Sequence, residues 1–151
     1  MATLERAIAL AASAHAGQVD KAGQPYILHP LRVMLRVSTT HERMAAVLHD
    51  VVEDTKVNVV EDTKVTLERL RSEGFPDEVV RAVDALTKRE GETRLEAAAR
   101  AAADPIARIV KLADNAENMD LSRIAEPTAE DYERVEQYKK VRAILLADGG
   151  G

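Results

Sequence analysis

Residues 46–55 read AVLHDVVEDT, and the fold class turns on how that stretch is placed. Met44, Val47, Leu48 and Val51 recur at the three- and four-residue spacing of one helix face, which predicts an amphipathic helix rather than a strand. Upstream, Thr39 and Glu42 have the spacing of a reciprocal capping box that would start it. Read as one helix through Asp54, the segment sets Glu53 one turn below His49 and Asp54 one turn below Asp50. An imidazole and three carboxylates then share a face. Because the apolar pairs Val47-Leu48 and Val51-Val52 flank His49 and Asp50, the cluster is expected to be buried, and buried carboxylates need a compensating cation.

Helical patterns extend in both directions from this stretch. Leu4, Ala7, Ile8, Ala11 and Ala12 mark an opening helix that stops at Gly17, and GQVDKAGQPYI (17–27) reads as a loop. His29-Pro30 begins another helix, with Pro30 suited to its first turn. Thr66 can cap a short helix, and Val79, Val80, Val83 and Leu86 mark the next. Asp104-Pro105 opens a helix expected to turn Ile106, Ile109, Val110 and Ala113 inward. Thr128 and Asp131 start the last, which runs through Tyr132, Val135 and Tyr138 toward Leu145. No segment reads as sheet, so the expected architecture is all-α, a compact multi-helix bundle. With no linker or compositional break, residues 1–148 are expected to form a single domain and the glycines at 149–151 a disordered tail.

Composition narrows the function classes. A chain of 151 residues, 46% hydrophobic, suits one core. It has no cysteine, so disulfides and thiolate metal sites are excluded, and any metal must be held by His, Asp and Glu. A net charge of -5, with no basic cluster interleaved with aromatic residues, argues against nucleic acid as partner. The N-terminal apolar stretch lacks the form of a signal peptide and nothing approaches a membrane-spanning run, so a cytoplasmic protein without membrane attachment is expected. An anionic small molecule would need only a local basic pocket.

Chemistry-bearing residues concentrate in four places: His29, His49-Asp50, Glu53-Asp54 and Asp114. Two imidazoles and two carboxylates form a mixed nitrogen and oxygen set that suits Mn, Fe, Co or Zn. Such a metal would polarise a phosphoryl oxygen and acidify a water while a neighbouring carboxylate positions the nucleophile. A His-Asp dipeptide by itself is a weak signal. Other residues have plainer readings: His15 as a satisfied structural histidine, His41 as a solvated first-turn residue, Tyr138 as core, and Met34, Met44 and Met119 as filling.

The wording around the dipeptide is more specific. AHAGQVDKAGQPYILHPLRV, AVLHDVVEDT, VDALTKREGE and VKLADNAENMDLSRI, in that order over about residues 10–125, resemble the hydrolase domain of the RelA/SpoT alarmone enzymes and their small single-domain relatives, within the HD phosphohydrolase superfamily. The resemblance implies an all-helical HD-domain bundle and a divalent metal, usually Mn2+, held by His29, His49, Asp50 and Asp114. It implies that Glu53 and Asp54 orient or activate the attacking water, and that Asn118 helps hold the nucleotide. The implied reaction is removal of the 3′-pyrophosphate from guanosine tetra- or pentaphosphate. Lys21, Lys111 and Arg32 are the basic residues expected near this anionic substrate. The chain departs from the family where Asp20-Lys21 replaces an Arg-Lys pair, placing a charge that repels phosphates, and where Asn115, Ala116 and Glu117 follow Asp114. Those departures keep open a related phosphatase acting on NADPH or other nucleotides.

One feature is peculiar to this chain. Val51–Val57 reads VVEDTKV and Val59–Val65 reads VVEDTKV again. Removing Val51–Asn58 would leave LHDVVEDTKVTLERL, which fits the family pattern without a gap, so an eight-residue tandem duplication lies within 51–66. First-copy catalysis is expected, because only Glu53 and Asp54 lie one turn from His49 and Asp50. Continued as helix, the extra residues would add about 12 Å and rotate the exit by about 80°. Looped out, they cost on the order of 1 kcal/mol. Val57, Val59, Val60 and Val65 are expected to expose apolar surface, which would favour a homo-oligomer through the duplicated segment. A duplication that spoiled the site would instead leave a catalytically impaired interaction module.

Overall fold

A computed structural model describes residues 2–54, 65–122 and 124–147, the side chains of Glu53 and Asp54 excepted. Its elements are α1 (Leu4–Ala14), α2 (Leu28–Leu35), α3 (Thr40–Leu48), α4 (Val51–Asp54), α5 (Leu67–Ser72), α6 (Asp77–Leu86), α7 (Arg94–Ala102), α8 (Pro105–Met119) and α9 (Ala129–Ala147). The fold is all-α. Among the described residues the only extended pairing is an isolated bridge between Val19 and Pro25.

The helix starts follow the capping chemistry of the sequence. Thr39 and Glu42 form the reciprocal box at α3, each at 3.1 Å, and Thr66 accepts from Arg69 N at α5. Asp104 accepts from Ile106 N and Ala107 N ahead of Pro105 at α8. Thr128 and Asp131 bond reciprocally at the start of α9. The helix α7, opened by a Thr93-Glu96 box, has no stripe of large apolar residues and is not marked by periodicity. Its alanines nevertheless pack, with Ala98 closing on Val141 and Leu145 of α9.

α3 is the central helix, packed by α1, α2, α6 and α8. Ala45, Ala46, Val47 and Leu48 are each fully buried, so the segment is apolar all round, as a helix surrounded by others must be. It does not continue through the His-Asp pair. His49 caps α3, Asp50 lies in a turn, and a separate α4 begins at Val51. The Ala46 carbonyl accepts from His49 N at 3.4 Å and from His49 Nδ1 at 2.6 Å, a tight local arrangement that ends the regular ladder.

Two further expectations are corrected. Ile109 is 40% exposed; α8 turns Ala107, Val110, Ala113 and Asp114 inward instead, a phase set by its contacts with α2, α3 and α6. Val65, expected at the surface, is 2% exposed and joins Val51 and Leu70 in the main core. The first position of the repeat is thus seated by Val51 of copy one, and the seventh by Val65 of copy two. Val57, Val59 and Val60 lie outside the described residues, as do the glycines at 149–151.

Candidate metal centre and substrate cavity

Three packed helices bring the ligand candidates together: His29 from α2, the His49-Asp50 turn after α3, and Asp114 from α8. His29, His49 and Asp50 each offer an atom within 4.8 Å of the others. Asp114 Oδ1 lies 2.8 Å from His29 Nε2 and 3.5 Å from His49 Nε2, while Asp50 Oδ2 is 3.1 Å from His49 Nε2. All but Asp50 are buried, and Asp50 is only slightly open.

The residues present fit a cation. His49 Nε2 is buried and makes no hydrogen bond. Its other nitrogen faces a carbonyl, which can only accept, so Nδ1 carries the proton of a neutral ring and Nε2 keeps its lone pair directed at two carboxylates. A lone pair facing two anions is repulsive unless a positive charge lies between them. Without a cation, a proton takes that role. Burial opposes charge on the His49 ring, but the Asp50 and Asp114 carboxylates outweigh it and raise its pKa well above the ordinary value. Burial likewise works against ionising Asp50, yet the His49 charge and the Tyr26 hydroxyl hold it at about 2. Asp114 stays well below the usual carboxylate range, its burial overcome by Lys111 and by both imidazoles.

The neighbours of these ligands are ordered. Tyr26 donates its hydroxyl to Asp50 Oδ2. Asn118 Nδ2 donates to Asp114 Oδ1 at 3.1 Å, and Lys111 Nζ lies 3.3 Å from Asp114 Oδ2. Tyr26 was not legible from spacing, because nothing periodic relates a loop residue to a turn 24 positions on. His15 is buried as expected, but only half satisfied: Nδ1 meets Gln18 Oε1 at 2.6 Å while Nε2 has no hydrogen bond.

A cavity of about 420 Å3 opens over the centre, within the size range of small-ligand sites. His29, Asp50, Asp114 and Asn118 line it together with Lys21, Tyr26, Ile124, Arg134 and Tyr138. Tyr138 therefore faces the cavity rather than the core. Of the expected basic residues, Lys21 lines the cavity and Lys111 touches its Asp114. Arg32 does not line it; its Nε is 3.0 Å from the buried Glu117, which also takes Arg36. Asp20 is less repulsive than its charge suggests, since Oδ1 accepts from Ala22 N at 2.9 Å and Gln24 N at 3.0 Å. That staple, with Gly23 at φ 81°, folds the 17–27 loop back and leaves Lys21 at its turn. Glu53 and Asp54 belong to α4, directly after Asp50, but their side chains lie outside the described residues.

Residues 26–119 match the family described as HD domain. The chain is 36% identical over 143 residues to a probable GTP pyrophosphokinase of Mycobacterium leprae, covering 84% of this chain and 17% of that one. It is 32% identical over 128 residues to the guanosine-3′,5′-bis(diphosphate) 3′-pyrophosphohydrolase of Aquifex aeolicus, covering 77% and 17%. It is 38% identical over 132 residues to the bifunctional (p)ppGpp synthase/hydrolase RelA of Mycobacterium tuberculosis, covering 84% and 18%. The chain spans about one sixth of the length of these curated relatives.

Proposed function

This chain belongs to the HD domain family, and on that premise we propose that it is a metal-dependent phosphohydrolase that removes the 3′-pyrophosphate of guanosine tetra- or pentaphosphate. The observation that carries this reading is His49 Nε2, buried, without a hydrogen bond and facing the Asp50 and Asp114 carboxylates. Two of the relatives described above are named as hydrolases of this nucleotide class.

In this reading His29, His49, Asp50 and Asp114 hold the cation, Mn2+ by preference. When bound, it supplies the positive charge that polarises a phosphoryl oxygen and acidifies an attacking water. Glu53 or Asp54 accepts the proton from that water. Lys21 and Lys111 balance phosphate charge, and Asn118, held against Asp114, orients the nucleotide side of the substrate. Among the described residues no helix is long and apolar enough to cross a membrane.

The test is Mn2+-dependent release of pyrophosphate from guanosine tetraphosphate, with NADPH and simple nucleotides as competing substrates. His49→Ala is expected to abolish both turnover and the thermal stabilisation given by Mn2+. Glu53→Gln or Asp54→Asn should cut turnover by about 10²–10⁴ while leaving Mn2+ binding in place. Phosphate release from NADPH alone would transfer the protein to the second phosphatase class. A chain that neither turns over a nucleotide nor gains stability from Mn2+ would be an interaction module.

A further inference from the structure

The two halves of α9 are held by different means. Val141 and Leu145 seat its second half, packing with Ala98 of α7 in the smaller apolar cluster. Before Val141 no described residue of α9 joins either apolar cluster, yet this first half carries Arg134 and Tyr138 into the lining of the substrate cavity. Apolar packing therefore does not by itself set where that stretch stands over the metal centre. Two polar contacts to Tyr138 supply the hold. Asn115, 2% exposed on α8, donates from Nδ2 to the Tyr138 carbonyl at 2.9 Å, and the Arg94 guanidinium of α7 lies over the Tyr138 ring at 5.2 Å from its centroid. The Asn115 bond is not needed to complete the helix, because a carbonyl within α9 already has the amide four residues on as its partner. Nor does it satisfy Asn115, whose Oδ1 is buried and makes no hydrogen bond. A buried amide with one unpaired group costs stability, so a leucine there would pack α8 on α9 at least as well. What a leucine lacks is a directed bond that fixes one helix against the other.

We infer that Asn115, supported by Arg94, is a positioning residue for the nucleoside part of the substrate, acting through Tyr138. Neither side chain lines the cavity. Each instead holds Tyr138, Asn115 by its backbone and Arg94 by its ring. Of the rings that do line the cavity, His29 is turned to Asp114 and Tyr26 to Asp50, which leaves Tyr138 as the flat surface for a base or ribose. Asn115 follows Asp114 directly, about 100° further round α8. The helix that presents Asp114 to the cavity thus also ties down the wall formed by Tyr138. The inference rests on the nucleotide reading given above, and not on the catalytic step.

GDP, the nucleotide that remains when guanosine tetraphosphate loses its 3′-pyrophosphate, probes this wall without turnover. Its Kd is measured by calorimetry on the full chain with Mn2+ present, for wild type, Asn115→Leu, Arg94→Ala and Tyr138→Ala. Asn115→Leu is expected to raise Kd by about five-fold, the scale of one neutral hydrogen bond, with Tm no lower and Mn2+ affinity unchanged. Arg94→Ala, at an exposed side chain, raises Kd in the same sense with the fold intact. In the Tyr138→Ala background, where the carbonyl remains but the ring is gone, Asn115→Leu adds little. An unchanged Kd in Asn115→Leu overturns the inference, as does an undiminished five-fold step in the Tyr138→Ala background. So does a loss of Mn2+ affinity that parallels the rise in Kd, because Asn115 would then be acting on Asp114. If Asn115→Leu does not fold, Arg94→Ala decides, and an unchanged Kd there overturns the hold on Tyr138. Wild type that binds GDP but releases no pyrophosphate from guanosine tetraphosphate defeats the hydrolase reading, while the same Kd values still decide Asn115. Binding of NADH alone, the product of an NADPH phosphatase, defeats only the guanosine assignment and moves the comparison to NADH. Wild type that binds neither nucleotide defeats the nucleotide reading and this inference with it.

Discussion

The carbonyl of Ala46 fixes His49 through the nitrogen not aimed at the centre, and the hydroxyl of Tyr26 holds Asp50 by Oδ2, the oxygen that also faces His49 Nε2. Losing such a partner typically weakens metal affinity by about 10–100-fold. Tyr26→Phe keeps the ring and its packing on His15 and His29 but removes the bond. It is therefore expected to weaken Mn2+ binding by that factor with an unchanged circular dichroism spectrum, whereas unchanged affinity would assign Tyr26 to packing alone. At this scale the sequence was informative about residue types and silent about neighbours. His29, His49, Asp50 and Asp114 could be named because the blocks around them resemble those of the alarmone hydrolase domain and their kinds suit a metal. Arg32 was misplaced for the complementary reason: a cation's partner is chosen by the fold, and the fold offers it Glu117.

Among the elements, the turn between α6 and α7 is held by one ion pair with several attachments. Arg100 reaches the carbonyls of Ala85 and Thr87 as well as Glu92, and Glu92 also accepts from Arg89 N. The Arg100 hydrogen bond is the main cause that holds the Glu92 carboxyl at about 2, against an ordinary 4.5. A carboxylate with a depressed native pKa stabilises the fold fully above its unfolded value, and that contribution disappears as pH falls from about 4.5 toward 2. Glu92→Gln should accordingly be less stable than wild type at pH 7, with the gap narrowing by pH 3; urea unfolding at the two pH values measures it. A constant gap would mean that the carboxylate's charge is immaterial. The seating of the repeat belongs to this scale too. Val65→Ala is expected to cost about 2 kcal/mol in urea unfolding, as is Val51→Ala, because both side chains are buried in one core.

For the molecule as a whole, the duplication poses the question of what eight extra residues do to a core that needs one copy. Copy one supplies Val51 and copy two supplies Val65, so the surplus falls between two seated valines rather than within α3 or α5. Deleting Val51–Asn58 presents Val59 directly after Asp50, chemically the same residue for the same seat. The shortened chain is expected to keep its Mn2+ affinity and to gain on the order of 1 kcal/mol, the closure entropy of the surplus. Loss of Mn2+ binding on deletion would show that the second copy helps to shape the centre.

The all-α class and the capping residues at 39, 66, 104 and 128 were determined by the sequence alone, because caps and helical periodicity act over three or four residues, and the four ligand candidates were named from the sequence through the resemblance of the blocks that hold them. The break of α3 at His49, the outward turn of Ile109, the burial of Val65 and the meeting of Tyr26 with Asp50 were decided only by tertiary structure. Each depends on which surfaces from distant parts of the chain close on one another. A local pattern states that a residue will have an inner face, but the neighbours it finds there are set by packing across the whole core.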